Sequence, residues 1–101
     1  QQNASQLAAD KTFTTIDNLL RSSNQSLLKN AKTLAVFTRN SGLTRSYKIF
    51  YTAKDGSVVE ADVTMTSSGA KTIYLVSLHL YKDLIDILLC MLCLQFYTII
   101  L

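Results

Sequence analysis

Two cysteines near the carboxyl end of the chain have the spacing of a redox or metal-binding motif. Cys90 and Cys93 are separated by two residues. A reactive thiolate needs a helix N-terminus or a neighbouring base, whereas these thiols lie in an apolar run that favours their protonated form. A structural zinc site needs about four ligands, and His79 is the only histidine in the sequence. We therefore expect inert thiols, with no metal and no cofactor.

A second group of residues has types that could support acid–base or nucleophilic chemistry. Ser77 and His79 share one face of a predicted strand, and Asp83 follows soon after. Glu60 and Asp62 also share a strand face, which is the minimum for a carboxylate pair. A nucleophile needs in addition a third orienting group and an oxyanion site, which spacing alone does not supply. We therefore expect no enzyme and no catalytic residues.

The elements that must position these residues begin with a predicted long amphipathic helix. Residues 1–40 contain neither glycine nor proline, and their apolar residues recur at three-to-four spacing. The polar run 22–26 is a poor helix interior, so two helices joined near Asn24 are an alternative. Gly42 is suited to the left-handed position after a helix, which is expected to end near Asn40. The apolar stripe also predicts a face for a partner protein: Ile16, Leu20, Leu27 and Leu34.

After this helix the apolar residues alternate, which is typical of strands. The sequence Lys54-Asp55-Gly56 separates the first two strands, and a three-residue turn with Gly56 left-handed places Tyr51 opposite Val59. The same register pairs Lys48 with Asp62 on the other face of the hairpin, where opposite charges attract.

A Ser68-Gly69 turn leads to a third strand, from Lys71 to Leu80, and a two-residue loop there places Val76 opposite Ala61. The predicted fold is therefore α+β, with the long helix packed on a three-stranded antiparallel meander. The predicted small domain covers residues 1–80.

Residues 81–101 form an apolar C-terminal segment that is predicted to be helical, with a continuation of strand as the alternative, because Ile99, Ile100 and Leu101 fit either. From Leu84 onward Asp86 is the only charged residue. Eighteen helical residues rise about 27 Å, just short of a hydrocarbon core of about 30 Å. The segment is either a membrane anchor or the closing helix of the domain. The anchor residues would be Leu84, Ile85, Ile87, Leu88, Leu89, Leu92 and Phe96.

A third hypothesis for the tail starts from a change in composition at Leu75. Val76-Ser77 is the dipeptide that the splice-donor hexamer GTAAGT encodes, and the residues after it lack glycine and carry little charge. Under this hypothesis residues 76–101 are translated intron, and the chain is a truncated isoform whose domain has another native ending.

The net charge of the chain bears on the kinds of partner that it could bind. Ten lysines and arginines against seven aspartates and glutamates give a formal charge of +3. We expect a noncatalytic interaction or assembly module that binds a protein partner and is tethered by its apolar tail to a membrane or to a larger complex, with membrane association as the expected localisation. The first alternative is a small basic domain for RNA or an acidic partner, and the second is a secreted or lumenal ligand-binding domain with a pocket between sheet and helix. The basic patch for the first alternative would be Lys29, Lys32, Arg39, Arg45 and Lys48.

Overall fold

The computed structural model describes residues 1–82 and the backbone of residues 94–100. Three short helices precede five strands, which form one antiparallel sheet in sequence order. The helices are α1 (Ala4–Ala9), α2 (Lys11–Ser23) and α3 (Gln25–Leu28). The strands are β1 (Lys32–Ser41), β2 (Thr44–Thr52), β3 (Val58–Ser68), β4 (Lys71–Tyr81) and β5 (Leu94–Ile100). The predicted α+β class is confirmed, but the sheet has five strands instead of three.

Local capping explains why the helical region is divided. Asn3 caps α1 in a reciprocal capping box with Gln6. The Asp10 carboxylate caps α2 by accepting a hydrogen bond of 3.0 Å from the Phe13 backbone N–H, which satisfies a donor that the first turn leaves without a partner. Asn24 ends α2 outside the helical conformation. The alternative of a break near Asn24 is therefore confirmed, and the single long helix is wrong.

The larger correction concerns residues 32–40, which were expected to be helical and instead form most of β1. The run from Thr33 to Thr38 is rich in β-branched and aromatic residues, which fit a pleated surface better than a helix. Gly42 does adopt a positive φ of 60°, but it does so in a two-residue turn that pairs Ser41 with Thr44. A left-handed glycine marks a turn equally well in either setting, and pairing with β2 decided between them.

The two later hairpins test the predicted registers. In the first, Tyr51 lies opposite Val59 and Gly56 has a φ of 87°, so the three-residue turn is confirmed. In the second, the loop consists of residues 69–70 instead of 68–69. Val76 consequently lies opposite Val63 and not Ala61, a shift of two residues. A shift of two keeps every side chain on its expected face of the sheet.

The core lies between the helices and one face of the sheet, called here the inner face. Ile16 and Leu20 of α2 are each only 1% exposed and pack against sheet residues such as Ile49, Ala61 and Val63. The contact between α2 and the sheet leaves no room for a water molecule. The pocket that was expected between sheet and helix is therefore filled by side chains at this contact.

The predicted C-terminal helix is wrong for residues 94–100, because they pair with β4 as strand β5. Phe96, one of the predicted anchor residues, lies opposite Ser77 in this pairing. The other six predicted anchor residues, at positions 84–92, lie outside the described residues. Among the described residues, no helix is long and apolar enough to cross a membrane.

The composition change at Leu75 has no counterpart in the fold. Strand β4 continues through Leu75 and Val76 without interruption. Val76 and Leu78 are each 2% exposed and belong to the core. The structure therefore gives the truncated-isoform hypothesis no support at this position.

Candidate functional site

The face of the sheet opposite the helices, called here the outer face, carries a groove. The groove has a volume of about 730 Å³ and is lined by residues from β1, β2 and β3. Alternation along the strands explains its composition, because the neighbours of the buried inner-face residues point to the other side. The aromatic and charged side chains that the outer face contributes to the groove are Phe37, Arg39, Lys48, Phe50 and Asp62.

Two phenylalanines form the apolar part of this groove. The rings of Phe37 and Phe50 meet edge to face, with centroids 6.1 Å apart and planes at 85°. This is a favoured geometry for an aromatic pair. The Phe37 side chain nevertheless remains exposed, at 41% of its accessible surface. The pair therefore offers an apolar wall to a bound molecule.

Two cations lie beside this wall. Phe37 and Arg39 are two residues apart on β1, as are Lys48 and Phe50 on β2, so each cation shares a face with one ring. Among the described residues, no carboxylate lies within ion-pair distance of Arg39 or Lys48. The groove thus combines apolar surface with positive charge that no internal ion pair takes up.

An acid–histidine cluster adjoins the groove on β3 and β4. In the strand register Glu60 lies opposite His79, and Asp62 lies opposite Ser77. The His79 Nε2 atom is 3.3 Å from Asp62 Oδ2 and 3.3 Å from Ser77 Oγ. Burial and the neighbouring Asp62 carboxylate raise the pKa of Glu60 to about 7, against the opposing effect of Lys48.

The geometry of this cluster does not match a nucleophilic triad. In a triad the histidine uses one ring nitrogen for the serine and the other for the carboxylate. Here the serine and the Asp62 carboxylate both lie against Nε2 of His79, and no described residue forms a hydrogen bond with the buried Nδ1 atom. A carboxylate on Nε2 competes with the serine for the same nitrogen. That the chain has no catalytic function stays a prediction. The geometry of this cluster is compatible with that prediction.

The inner face contains two polar clusters of matching design, which the sequence did not reveal. In the first, the Tyr47 hydroxyl donates a hydrogen bond of 3.0 Å to Asp10 Oδ2. Arg45 lies 3.6 Å from the same carboxylate oxygen, and its guanidinium is 5.2 Å from the Tyr47 ring centroid. In the second, Tyr51 donates to Asp17 at 2.6 Å. The second cluster also has its own arginine, Arg21, 5.1 Å from the Tyr51 ring centroid.

The first cluster shifts the pKa values of both its acid and its phenol. Burial and the hydrogen bond to Asp10 raise the pKa of Tyr47 to about 12. Burial acts to raise the pKa of Asp10 as well, but hydrogen bonds from Phe13, Gln2 and Tyr47 outweigh it and hold that pKa below its usual value. These shifts hold Asp10 charged and Tyr47 neutral, which is the state that joins the helix to the sheet.

The second cluster fixes the exit from the helical region. The Arg21 guanidinium donates to the backbone carbonyls of Leu28 at 2.9 Å and Ala31 at 2.8 Å. Its Nε atom also donates to Asp17 at 3.1 Å. These bonds tie the last carbonyl of α3 and the Ala31 carbonyl, just before β1, to the Arg21 side chain of α2. The role of Arg21 is therefore structural.

The predicted basic patch does not form one surface. Arg39 and Lys48 lie together in the groove, whereas Arg45 is engaged with Asp10 and Tyr47. Lys29 and Lys32 lie at the other end of β1, where Lys29 lines a separate cavity. Of the five predicted cations, the fold therefore brings only Arg39 and Lys48 to the groove.

The predicted helical partner face is not formed either. Ile16 and Leu20 are buried against the sheet, and Leu27 is partly buried against the same core. Leu34 lies on β1 and is 52% exposed, at the point where the register with β2 shifts between Thr33 and Ala35. The four residues therefore share no exposed stripe.

Sequence reasoning missed the aromatic wall because it placed Phe37 on a helix. The signal that could have located it is the β-branched and aromatic run around Phe37, followed by a turn glycine.

Comparisons of the chain with protein-family models, curated proteins and solved structures found no match. The function of the chain is therefore inferred from the geometry of the outer face.

Proposed function

We propose that the chain is a noncatalytic binding module whose groove takes an acidic ligand with an aromatic or other apolar group. The observation that carries this proposal is the pairing of the Phe37–Phe50 wall with Arg39 and Lys48 in one groove. An apolar group on the ligand would cover the exposed part of Phe37. Its anionic group would approach the two cations, which have no internal ion pair among the described residues.

The size of the groove supports a compact ligand. Its volume of about 730 Å³ falls within the range of about 300–1,000 Å³ that is typical of small-molecule sites. Sites of this kind combine apolar walls with a few polar groups that orient the ligand. Asp62 at the groove edge would repel a second anionic group and so favour ligands that carry their charge at one end.

This proposal keeps part of the sequence-based expectation and relocates the rest. The noncatalytic character and the acidic partner are retained, and the site moves from a helix stripe to the outer face of the sheet. A macromolecular partner would enter the groove through an acidic segment of the same chemistry. Membrane association through residues 84–92 stays a prediction, since those residues lie outside the described part of the chain.

The test uses two dyes that differ in charge. The dye 1-anilinonaphthalene-8-sulfonate joins an aromatic body to an anion, and N-phenyl-1-naphthylamine is the same molecule without the sulfonate. We expect the sulfonate to bind more tightly, and Lys48→Gln to weaken its binding by about fivefold to tenfold, since a hydrogen bond to a charged group contributes about 1.5–3 kcal/mol before solvent screening. Fluorescence titration at two salt concentrations measures this difference.

The matched control is Lys54→Gln, which removes an exposed lysine at the β2–β3 turn, outside the groove. It should leave both affinities unchanged. Circular dichroism of each variant excludes dye binding to an unfolded chain, which also exposes apolar surface. Equal affinity for the two dyes, or equal weakening by the two lysine variants, would contradict the proposal.

A further inference from the structure

The outer face holds a second group of side chains whose chemistry the groove does not explain. Glu60, Asp62 and His79 come from two adjacent strands, and one ligand atom from each lies within 4.8 Å of the others. The pairing of Glu60 with His79 across β3 and β4 brings them together, and Asp62 follows two residues along β3. All three are partly buried. The strands therefore hold three potential metal ligands on one rigid surface.

We propose that Glu60, Asp62 and His79 bind a divalent transition-metal ion, of which Zn²⁺ is the simplest representative. Two ligand atoms that each lie about 2.1 Å from a tetrahedral metal are about 3.4 Å apart. The observed distance of 3.3 Å between His79 Nε2 and Asp62 Oδ2 matches this separation. Ser77 Oγ, 3.3 Å from the same nitrogen, is near enough to approach as a weaker oxygen ligand.

The Nε2 atom of His79 lies between the Asp62 carboxylate and the Ser77 hydroxyl, so this nitrogen faces the other proposed ligand atoms. The ring can offer Nε2 to a metal with its proton on Nδ1. The buried Nδ1 atom has no hydrogen-bond partner among the described residues, so this tautomer leaves its N–H without an acceptor there.

Glu60 and Asp62 place two carboxylates on the same face of β3, close to His79 of β4. A divalent ion bound between them would balance their negative charges.

The donor set selects the class of metal. An imidazole nitrogen with two carboxylates suits Zn²⁺ and its neighbours in the first transition series, whereas Mg²⁺ and Ca²⁺ prefer all-oxygen sites. Three protein ligands leave a fourth coordination position, which Ser77 or an exogenous ligand could occupy. Asp62 also lines the groove, so the metal site adjoins it. The metal site itself does not depend on the proposed ligand of the groove.

The test uses the single histidine of the chain as its reporter. The imidazole Cε1–H resonance of His79 is followed by NMR while ZnCl₂ is added to protein without a polyhistidine tag. The protein carries Cys90→Ser and Cys93→Ser, which removes the thiols as competing ligands. We expect a shift that saturates at one equivalent of Zn²⁺, and no shift with MgCl₂ at the same concentration.

Three single variants then assign the site. Glu60→Gln and Asp62→Asn should each weaken Zn²⁺ binding by tenfold or more in competition with a chromophoric chelator, whereas Asp55→Asn removes an exposed turn carboxylate and should change nothing. The proposal is wrong if the His79 resonance does not respond to Zn²⁺, or if Asp55→Asn weakens binding as much as Glu60→Gln.

Discussion

The two faces of the sheet treat charged side chains in opposite ways. On the inner face, Asp10 and Asp17 each accept a hydrogen bond from a buried tyrosine and lie beside an arginine. On the outer face, the carboxylates of Glu60 and Asp62 stand together, and Arg39 and Lys48 have no ion pair among the described residues. The inner-face charges are paired within the fold, whereas the outer-face charges are paired only in part, through the contact of Asp62 with His79.

This difference separates a structural role from a binding role. A buried charge is tolerated only when partners replace its water, which the inner-face clusters achieve by joining α2 to the sheet. Unpaired charges on the sheet lower the free energy of unfolding. A ligand or ion that binds to them would raise it again. The outer face should therefore tolerate substitutions that the inner face does not, and three experiments test this contrast.

The largest effect should come from removing a core side chain. Leu20→Ala should lower the free energy of unfolding by about 2–5 kcal/mol, because it leaves a cavity where α2 packs on the sheet. Leu75→Ala is the matched change on the outer face, where Leu75 is 55% exposed. It should cost less than about 0.5 kcal/mol. Urea denaturation measures both values, and equal losses would remove the contrast between the faces.

An intermediate effect is expected from one hydroxyl group. Tyr51→Phe removes the 2.6 Å hydrogen bond to Asp17 and should cost about 1.5–3 kcal/mol, because the acceptor is charged. A double-mutant cycle with Asp17→Asn isolates this contact from the packing of the ring. Strict additivity of the two single variants would show that the inner-face cluster contributes no coupling.

The third effect concerns Glu60, and its size depends on pH. The pKa of Glu60 is raised from an ordinary value of 4.5 to about 7 in the folded chain, so between these two pH values the native state binds more protons than the unfolded state. Glu60 therefore lowers the free energy of unfolding as pH rises through this window, whereas a carboxylate with a depressed pKa would raise it.

Glu60→Gln should abolish this contribution and flatten the pH dependence between about pH 4.5 and 7. Urea denaturation at a series of pH values, with a chelator present, measures the slope. Asp55→Asn serves as control, because the exposed Asp55 carboxyl has its pKa lowered by hydrogen bonds to Ser57 and titrates below this window. An unchanged slope in Glu60→Gln would show that the folded chain does not raise the pKa of Glu60.

The β2–β3 hairpin shows which part of the fold is readable from local sequence. Its alternation and its turn chemistry both require the register that pairs Lys48 with Asp62, and the structure has that pairing. In β1 the local signals disagreed, because Leu34 and Phe37 also fit a helical stripe that begins at Phe13. Pairing along β2 settled the conflict, and such pairing between strands is not encoded in the period of one segment.

Only part of the candidate site could be predicted from the sequence, for the same reason. Glu60, Asp62, Ser77 and His79 were identified by residue type and strand parity, and the structure brings them together. Their contact depends on the register of β3 and β4, which differs by two residues from the expected one. The groove needed β1 as a strand, so its aromatic wall could not be foreseen.

The amino-acid sequence by itself determined the class of the fold, the central hairpin and the face on which each of its side chains lies, and it offered the break at Asn24 as one of two alternatives. These features depend on neighbours within a few residues, where alternation, caps and turn glycines act directly. Only the tertiary structure decided that residues 32–41 join the sheet, that two tyrosines anchor α2, and which charges remain unbalanced. Those outcomes depend on contacts between segments distant in sequence, whose energies no single segment contains.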